Sequence, residues 1–187
     1  MRYLLLSMLA CVTALAVPPA AQRPVHTFSI VARDPVTGDL GVAVQSHWFN
    51  VGAMVIHAES GVGAVATQSV PDPAYGPLGL QLMKAGKSAP EALKALLSAD
   101  LEAAVRQVGM VDVQGRAASH TGALDIPEVG GIVGDGFAVQ ANMMEKPTVW
   151  PAMAKAYREA LKDVKLDLAD RLLVALRAAQ AEGGDFR

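Results

Sequence analysis

The run Thr27-Phe28-Ser29-Ile30-Val31-Ala32 alternates polar and apolar side chains, meets a turn at Asp34-Pro35-Val36-Thr37-Gly38, and returns as Leu40-Gly41-Val42-Ala43-Val44. A period of two on both sides of a Pro- and Gly-bearing turn predicts an antiparallel hairpin. Residues 54–58 (Met-Val-Ile-His-Ala) and 62–67 (Val-Gly-Ala-Val-Ala-Thr) make a second strand pair around Glu59-Ser60-Gly61. Four strands in close succession with no helix between them predict one antiparallel sheet.

Further along, the period changes. Leu78, Leu82 and Met83 share a helical face, and Ser88 with Glu91 forms an S-x-x-E capping box ahead of Ala92, Leu93, Leu96 and Leu97. A second strand block follows: 108–112, 117–120, 131–133 and 137–140, with glycine turns at Gly115 and at Gly134-Asp135-Gly136. Val149, Met153, Tyr157 and Leu161 then line one helix, and Leu168, Leu172, Ala175, Leu176 and Ala179 line another. The order strands, helix pair, strands, helix pair predicts an α+β fold, a four-layer αββα sandwich of two antiparallel sheets with helices outside.

Composition narrows the function. The 187 residues are 52% hydrophobic and 18% charged, suited to one domain with a real core. With 16 basic against 18 acidic residues there is no basic field for a phosphate backbone, so nucleic acid is not an expected partner. The single cysteine, Cys11, falls in the N-terminal leader. A mature chain without it has no thiol nucleophile, no disulfide and no Cys-ligated zinc.

That leader, residues 1–21, has Arg2 as its charged start, an apolar stretch from Tyr3 to Val17, and small residues at Ala14-Leu15-Ala16 and Pro19-Ala20-Ala21. This is the three-part pattern of a secretory signal, with residues 22–187 as the mature domain. The apolar stretch is short beside the roughly 20 residues that a bilayer span needs. The expected location is periplasmic or extracellular, with no membrane span after signal removal.

No phosphate loop, zinc-binding H-E-x-x-H or G-x-S-x-G elbow occurs in the chain. Gly61-Val62-Gly63-Ala64-Val65-Ala66 imitates a dinucleotide fingerprint but continues as strand where a helix must start. His47, His57 and His120 lack metal-ligand spacing. No metal and no cofactor are expected. For covalent chemistry a hydroxyl remains: a threonine or serine exposed as a new N-terminus, with its own α-amine as base near a reference pKa of about 7.7–8.0. Thr27, at the start of the first strand, fits that role; it also fits as an ordinary β-branched strand residue.

The motifs Thr27-Phe-Ser-Ile-Val-Ala-Arg-Asp34, Gly61-Val-Gly-Ala-Val-Ala-Thr-Gln68, Tyr75-Gly76-Pro77-Leu78-Gly79-Leu80, His120-Thr121-Gly122-Ala123 and Phe137-Ala-Val-Gln-Ala-Asn142-Met resemble the domain-of-unknown-function 1028 (DUF1028) family of the N-terminal nucleophile hydrolase superfamily. The resemblance runs from about Thr27 to Asp185. It implies the αββα sandwich and hydrolysis of an amide or peptide-like C–N bond by an N-terminal threonine. Thr27 must then be freed by cleavage after His26, a second cut beyond the predicted signal sites. Family members usually continue past the position of Gly183-Gly184-Asp185, so the resemblance implies a last edge strand that a chain stopping at Arg187 lacks.

Five residues are candidates for the site. Thr27 is the nucleophile. Ser46, ending the second strand, can bond near the Thr27 amine or its own backbone. His57 occupies the strand position where proteasome-like relatives place a cation, or is a solvated strand residue. His120 orients substrate or tunes the amine, or is a buried hydrogen-bonded histidine. Asn142 can donate to an oxyanion, or starts a turn. Arg33 and Asp34 fit the hairpin turn, Tyr75 fits packing beneath the first helix, and Met143-Met144 fits gap-filling. A small amide or peptide-like substrate is the expected partner, and a homodimer through the helical layers is the expected assembly. The competing reading is a non-catalytic secreted binding or assembly protein on the same fold.

Overall fold

The computed structural model describes residues 26–184. The predicted leader, Cys11 and both signal cleavage sites lie outside them. Among the described residues, eight strands form two antiparallel sheets of four, accompanied by five helices and one 3-10 turn at Ala103–Val105.

The first hairpin is β1 (Thr27–Arg33) and β2 (Leu40–Ser46), paired from Thr27 with Ser46 to Arg33 with Leu40. Asp34 holds its turn. Its Oδ1 accepts from the N–H groups of Val36 at 2.8 Å and Thr37 at 3.0 Å, and Gly38 supplies the positive φ of 80°. A short helix, α1 (Gly52–Val55), takes up Met54 and Val55, so β3 runs only from Ile56 to Glu59 before β4 (Gly63–Ser69).

The first four strands do not form one sheet. The 47–55 segment carries the chain across to the second sheet, and each sheet combines one hairpin from each strand block. Their orders are β2-β1-β8-β7 and β3-β4-β5-β6, with β5 (Arg106–Asp112), β6 (Ala117–Thr121), β7 (Gly130–Gly134) and β8 (Phe137–Asn142). The reason lies in burial on both faces. β1 is buried along nearly its whole length, so it needs a hydrogen-bonded neighbour on each side, and β8 supplies the one that β2 cannot.

Strand parity sets the layers. Phe28, Ile30 and Ala32 of β1 join Phe137, Val139 and Ala141 of β8 in an outer core against α4 (Val149–Ala160) and α5 (Leu168–Gly183). Val65 of β4 and Val108 and Met110 of β5 face the other way, against α2 (Tyr75–Lys84) and α3 (Ala89–Ala99). Between the sheets, Val31, Ala64, Ala66, Val111 and Ala138 make a third, apolar cluster. The predicted capping box opens α3: Ser88 Oγ accepts from the Glu91 N–H at 3.3 Å, and the Glu91 carboxylate accepts from the Ser88 N–H at 2.7 Å. A buried Arg171–Asp34 ion pair ties α5 to the first hairpin turn. Among the described residues no helix is long and apolar enough to cross a membrane.

Candidate functional site

The space between the sheets changes character along its length. Val31 lies in the apolar half, but the same face of β1 continues through Ser29 to Thr27, and the same faces of β4, β5 and β8 continue into Gln68, Gln107, Gln140 and Asn142. All of these polar residues are buried. Buried polar side chains are costly unless they are hydrogen-bonded. Six of them at one end of an otherwise apolar interface therefore mark a built site.

Thr27 occupies the end row of the first sheet, between Ser46 on β2 and Asn142 on β8. It is 4% exposed, and its Oγ1 lies 2.8 Å from Ser46 Oγ, where either oxygen can be the donor. Ser46 Oγ also accepts from the Trp48 N–H at 3.1 Å. Ser46 thus meets the hydroxyl of Thr27. The ladder continues one residue before it, with the His47 N–H donating to the His26 carbonyl at 3.0 Å.

Behind this row Gln107 is the hub. Its Nε2 donates to the Ala141 carbonyl at 3.1 Å, the Gly130 carbonyl at 3.2 Å and Thr121 Oγ1 at 3.1 Å. Its Oε1 accepts from Gln68 Nε2 at 2.7 Å and from Asn142 Nδ2 at 3.0 Å. One row deeper, Ser29 Oγ donates to Gln140 Oε1 at 3.0 Å. Gln140 lies on Gly109, where a Cβ would stand 1.4 Å from its Nε2.

Asn142 stands in the Thr27 row, but its amide nitrogen is committed to Gln107. The atom left without a partner is Oδ1, an acceptor. An oxyanion needs donors; Asn142 spends one of its two N–H groups on Gln107, and the buried atom it leaves without a partner is an acceptor. His57 and His120 are not brought to Thr27. His57 pairs with Val65 and His120 with Val108, which places both on the helix-covered face of the second sheet. The His57 ring lies over Gly76 of α2, and its Nε2 has no partner. His120 Nε2 is 2.8 Å from the Ala103 carbonyl.

Among the flanking residues, Arg33 donates to the Asp34 carbonyl at 3.3 Å, within the turn. Tyr75 is buried on α2 and donates to Asp100 at 3.0 Å; burial first, then this bond, pushes its phenol well up. Met144 is in the outer core. Asp125 is buried and bonded to Ser69 Oγ, and burial raises its carboxyl. Among the described residues no group of three or more His, Cys, Asp or Glu could hold a metal ion.

Sequence reasoning missed Gln68, Gln107, Gln140 and Ser29 as site residues. Their signal was polar character at inward-facing positions, readable only once the face of each strand is assigned.

Comparison with known proteins adds the following. Residues 27–187 match a family described as "Family of unknown function (DUF1028)". The chain is similar to a solved structure, the crystal structure of protein SPO2555 from Silicibacter pomeroyi, of the same family. The identity is 32% and the TM-score 0.78, over 85% of this chain and 69% of that one. No curated protein matches.

Proposed function

The chain belongs to the DUF1028 family, a family of unknown function, and on that premise we propose from the site itself that it is an exported N-terminal nucleophile hydrolase acting on a small amide or peptide-like C–N bond. The layer order helix, sheet, sheet, helix supports this reading, since the resemblance implies an αββα sandwich. The observation that carries the reading is the setting of Thr27. It begins the central strand β1, faces the polar half of the inter-sheet space, and has its hydroxyl bonded to Ser46. The family match also begins at residue 27.

In this reading, cleavage of the His26–Thr27 bond frees the α-amine. Thr27 Oγ1 then attacks the substrate carbonyl carbon, and its proton passes to that amine, directly or through a water. The C–N bond breaks as the leaving nitrogen takes the proton. Water, deprotonated by the same amine, hydrolyses the Thr27 ester and restores the hydroxyl. Ser46 holds the hydroxyl in its rotamer through the 2.8 Å contact.

Thr27→Ser and Thr27→Ala test this on a panel of small amides, with the N-terminus read by intact mass. Mature wild type is expected to begin at Thr27. Thr27→Ser keeps activity, Thr27→Ala loses it by at least about 10³-fold, and the rate rises with pH through the amine pKa, near 7.7–8.0 in model compounds. A stable chain that keeps residues before Thr27, with no hydrolysis of any amide, would sink the proposal. That outcome favours the second reading, a secreted binding or assembly protein. Its supporting observation is the His26 carbonyl, which is already built into the ladder.

A further inference from the structure

The hydrogen bonds around Gln107 fix the polarity of the site. Main-chain carbonyls can only accept, so the nitrogen of Gln107 must face those of Ala141 and Gly130, and its oxygen must face the opposite way. That oxygen can only accept. Gln68 and Asn142 must therefore turn their nitrogens toward it, each spending one N–H there, and each is left presenting a carbonyl oxygen beside its second N–H. Gln68 Oε1 and Asn142 Oδ1 are both buried without a partner. Gln140 Nε2 is also unpaired, but it lies a row deeper against Gly109, and its Ser29 partner is a hydroxyl that can serve either polarity.

Backbone strain falls at the same two places. Gln68 is followed by Ser69 at φ 72° and Asn142 by Met143 at φ 58°, two of the three described non-glycine residues with positive φ. Left-handed non-glycine residues are uncommon, and strain of this kind gathers at functional sites. β4 thus ends in a left-handed residue and β8 is followed by one, a conformation neither strand needs for the sheet alone.

We infer that Gln68 Oε1 and Asn142 Oδ1, oriented by Gln107, form an acceptor pair that receives the N–H groups of a neutral substrate, a primary carboxamide or ureide. The surrounding side chains are Thr27, Ser29, Ser46, Gln107 and Gln140, all uncharged. An ammonium group would be stranded here without a counter-charge. A carboxylate has no N–H for Gln68 Oε1 and Asn142 Oδ1, and would leave both acceptors unpaired. Gln107 is a positioning residue, acting through the two carboxamides it holds. The role of this pair beside a reacting carbonyl rests on the reading of Thr27 as nucleophile, whereas its polarity rests on the hydrogen bonds alone.

The test uses three probes of similar size on the isotope-labelled protein as recovered from its host: acetamide, acetate and methylammonium. The side-chain NH₂ resonances of Gln68 and Asn142 are followed by NMR. Acetamide is expected to shift both saturably and to bind at least about tenfold more tightly than either ion, the discrimination expected of unpaired buried acceptors. Gln107→Met, which removes the clamp at similar volume, is expected to abolish that preference. The comparison on unsubstituted protein stands alone if this variant does not fold. Equal or tighter binding of acetate or methylammonium, or no saturable shift with any probe, overturns the inference. An acetamide preference in a protein that hydrolyses no amide leaves this inference standing and removes the nucleophile. Amide hydrolysis with an acetate preference does the reverse.

Discussion

Replacing Arg171 by Met should destabilise the protein by about 3 kcal/mol at neutral pH. Arg171 and Asp34 side chains are only 7% and 5% exposed, and they join α5 to the β1–β2 turn. Removing one partner of a buried pair costs roughly 3–5 kcal/mol, because the other charge is stranded. The lower end applies here. Asp34 Oδ1 keeps its bonds from the Val36 and Thr37 N–H groups, so only Oδ2 loses its donor. For a domain of this size that corresponds to a fall in Tm of roughly 6–12 °C. The effect is pH-dependent. Burial pushes the Asp34 carboxyl up, but the Thr37 and Val36 N–H groups and the Arg171 charge outweigh it and hold the group below its ordinary value. The pair's stabilisation is therefore fully present above the unfolded-state carboxyl pKa, about 3.9, and is lost as pH falls through the lower folded value. Urea unfolding of wild type and Arg171→Met at pH 7 and pH 3 measures both. The gap should shrink at pH 3, and the double variant Asp34→Asn/Arg171→Met should be more stable than Arg171→Met at pH 7. A loss under about 1 kcal/mol at pH 7, or the same gap at both pH values, would refute a desolvated pair.

Ser88→Ala removes one half of the α3 capping box and should cost about 1 kcal/mol in urea unfolding, with Ser88→Asp recovering most of it. Gly109→Ala sets a methyl 1.4 Å from Gln140 Nε2, so Gln140 must leave its place beside Ser29; a loss of about 1–3 kcal/mol in thermal unfolding is expected.

Much of this architecture was legible because it is local. The alternation in Thr27–Arg33, the Asx turn at Asp34 and the Ser88–Glu91 box are each specified within a few residues, and each is seen where it was expected. The assignment of hairpins to sheets was not legible. The pairing of β1 with β8 joins residues more than a hundred positions apart, and no local pattern distinguishes it from a continuous four-strand sheet. The histidines show the same limit at the site. The sequence puts His57 and His120 on strands, as the structure does, but their faces follow from pairing with Val65 and Val108, which pack against helices. The sequence offers Asn142 as an oxyanion donor or a turn residue; its place beside Thr27 and the direction its amide faces depend on β1 and on Gln107, residues distant in sequence.

The division of the inter-sheet space argues where function sits. At one end Val31, Ala64, Ala66, Val111 and Ala138 need only fit together. At the other, the same strands bury carboxamides and leave acceptors unpaired, and left-handed residues stand at the end of β4 and just past β8. Apolar side chains of matching volume would make that end more stable, since an unpaired buried acceptor costs about 1–3 kcal/mol. Nothing in the packing of the sheets calls for polar groups there: the apolar half closes the same pair of sheets without them. Local choices that work against the fold are expected where a ligand supplies the missing partner. Here they converge on the row of Thr27, so the cost they carry is best accounted for by a substrate whose N–H groups complete the Gln107 network when it is bound.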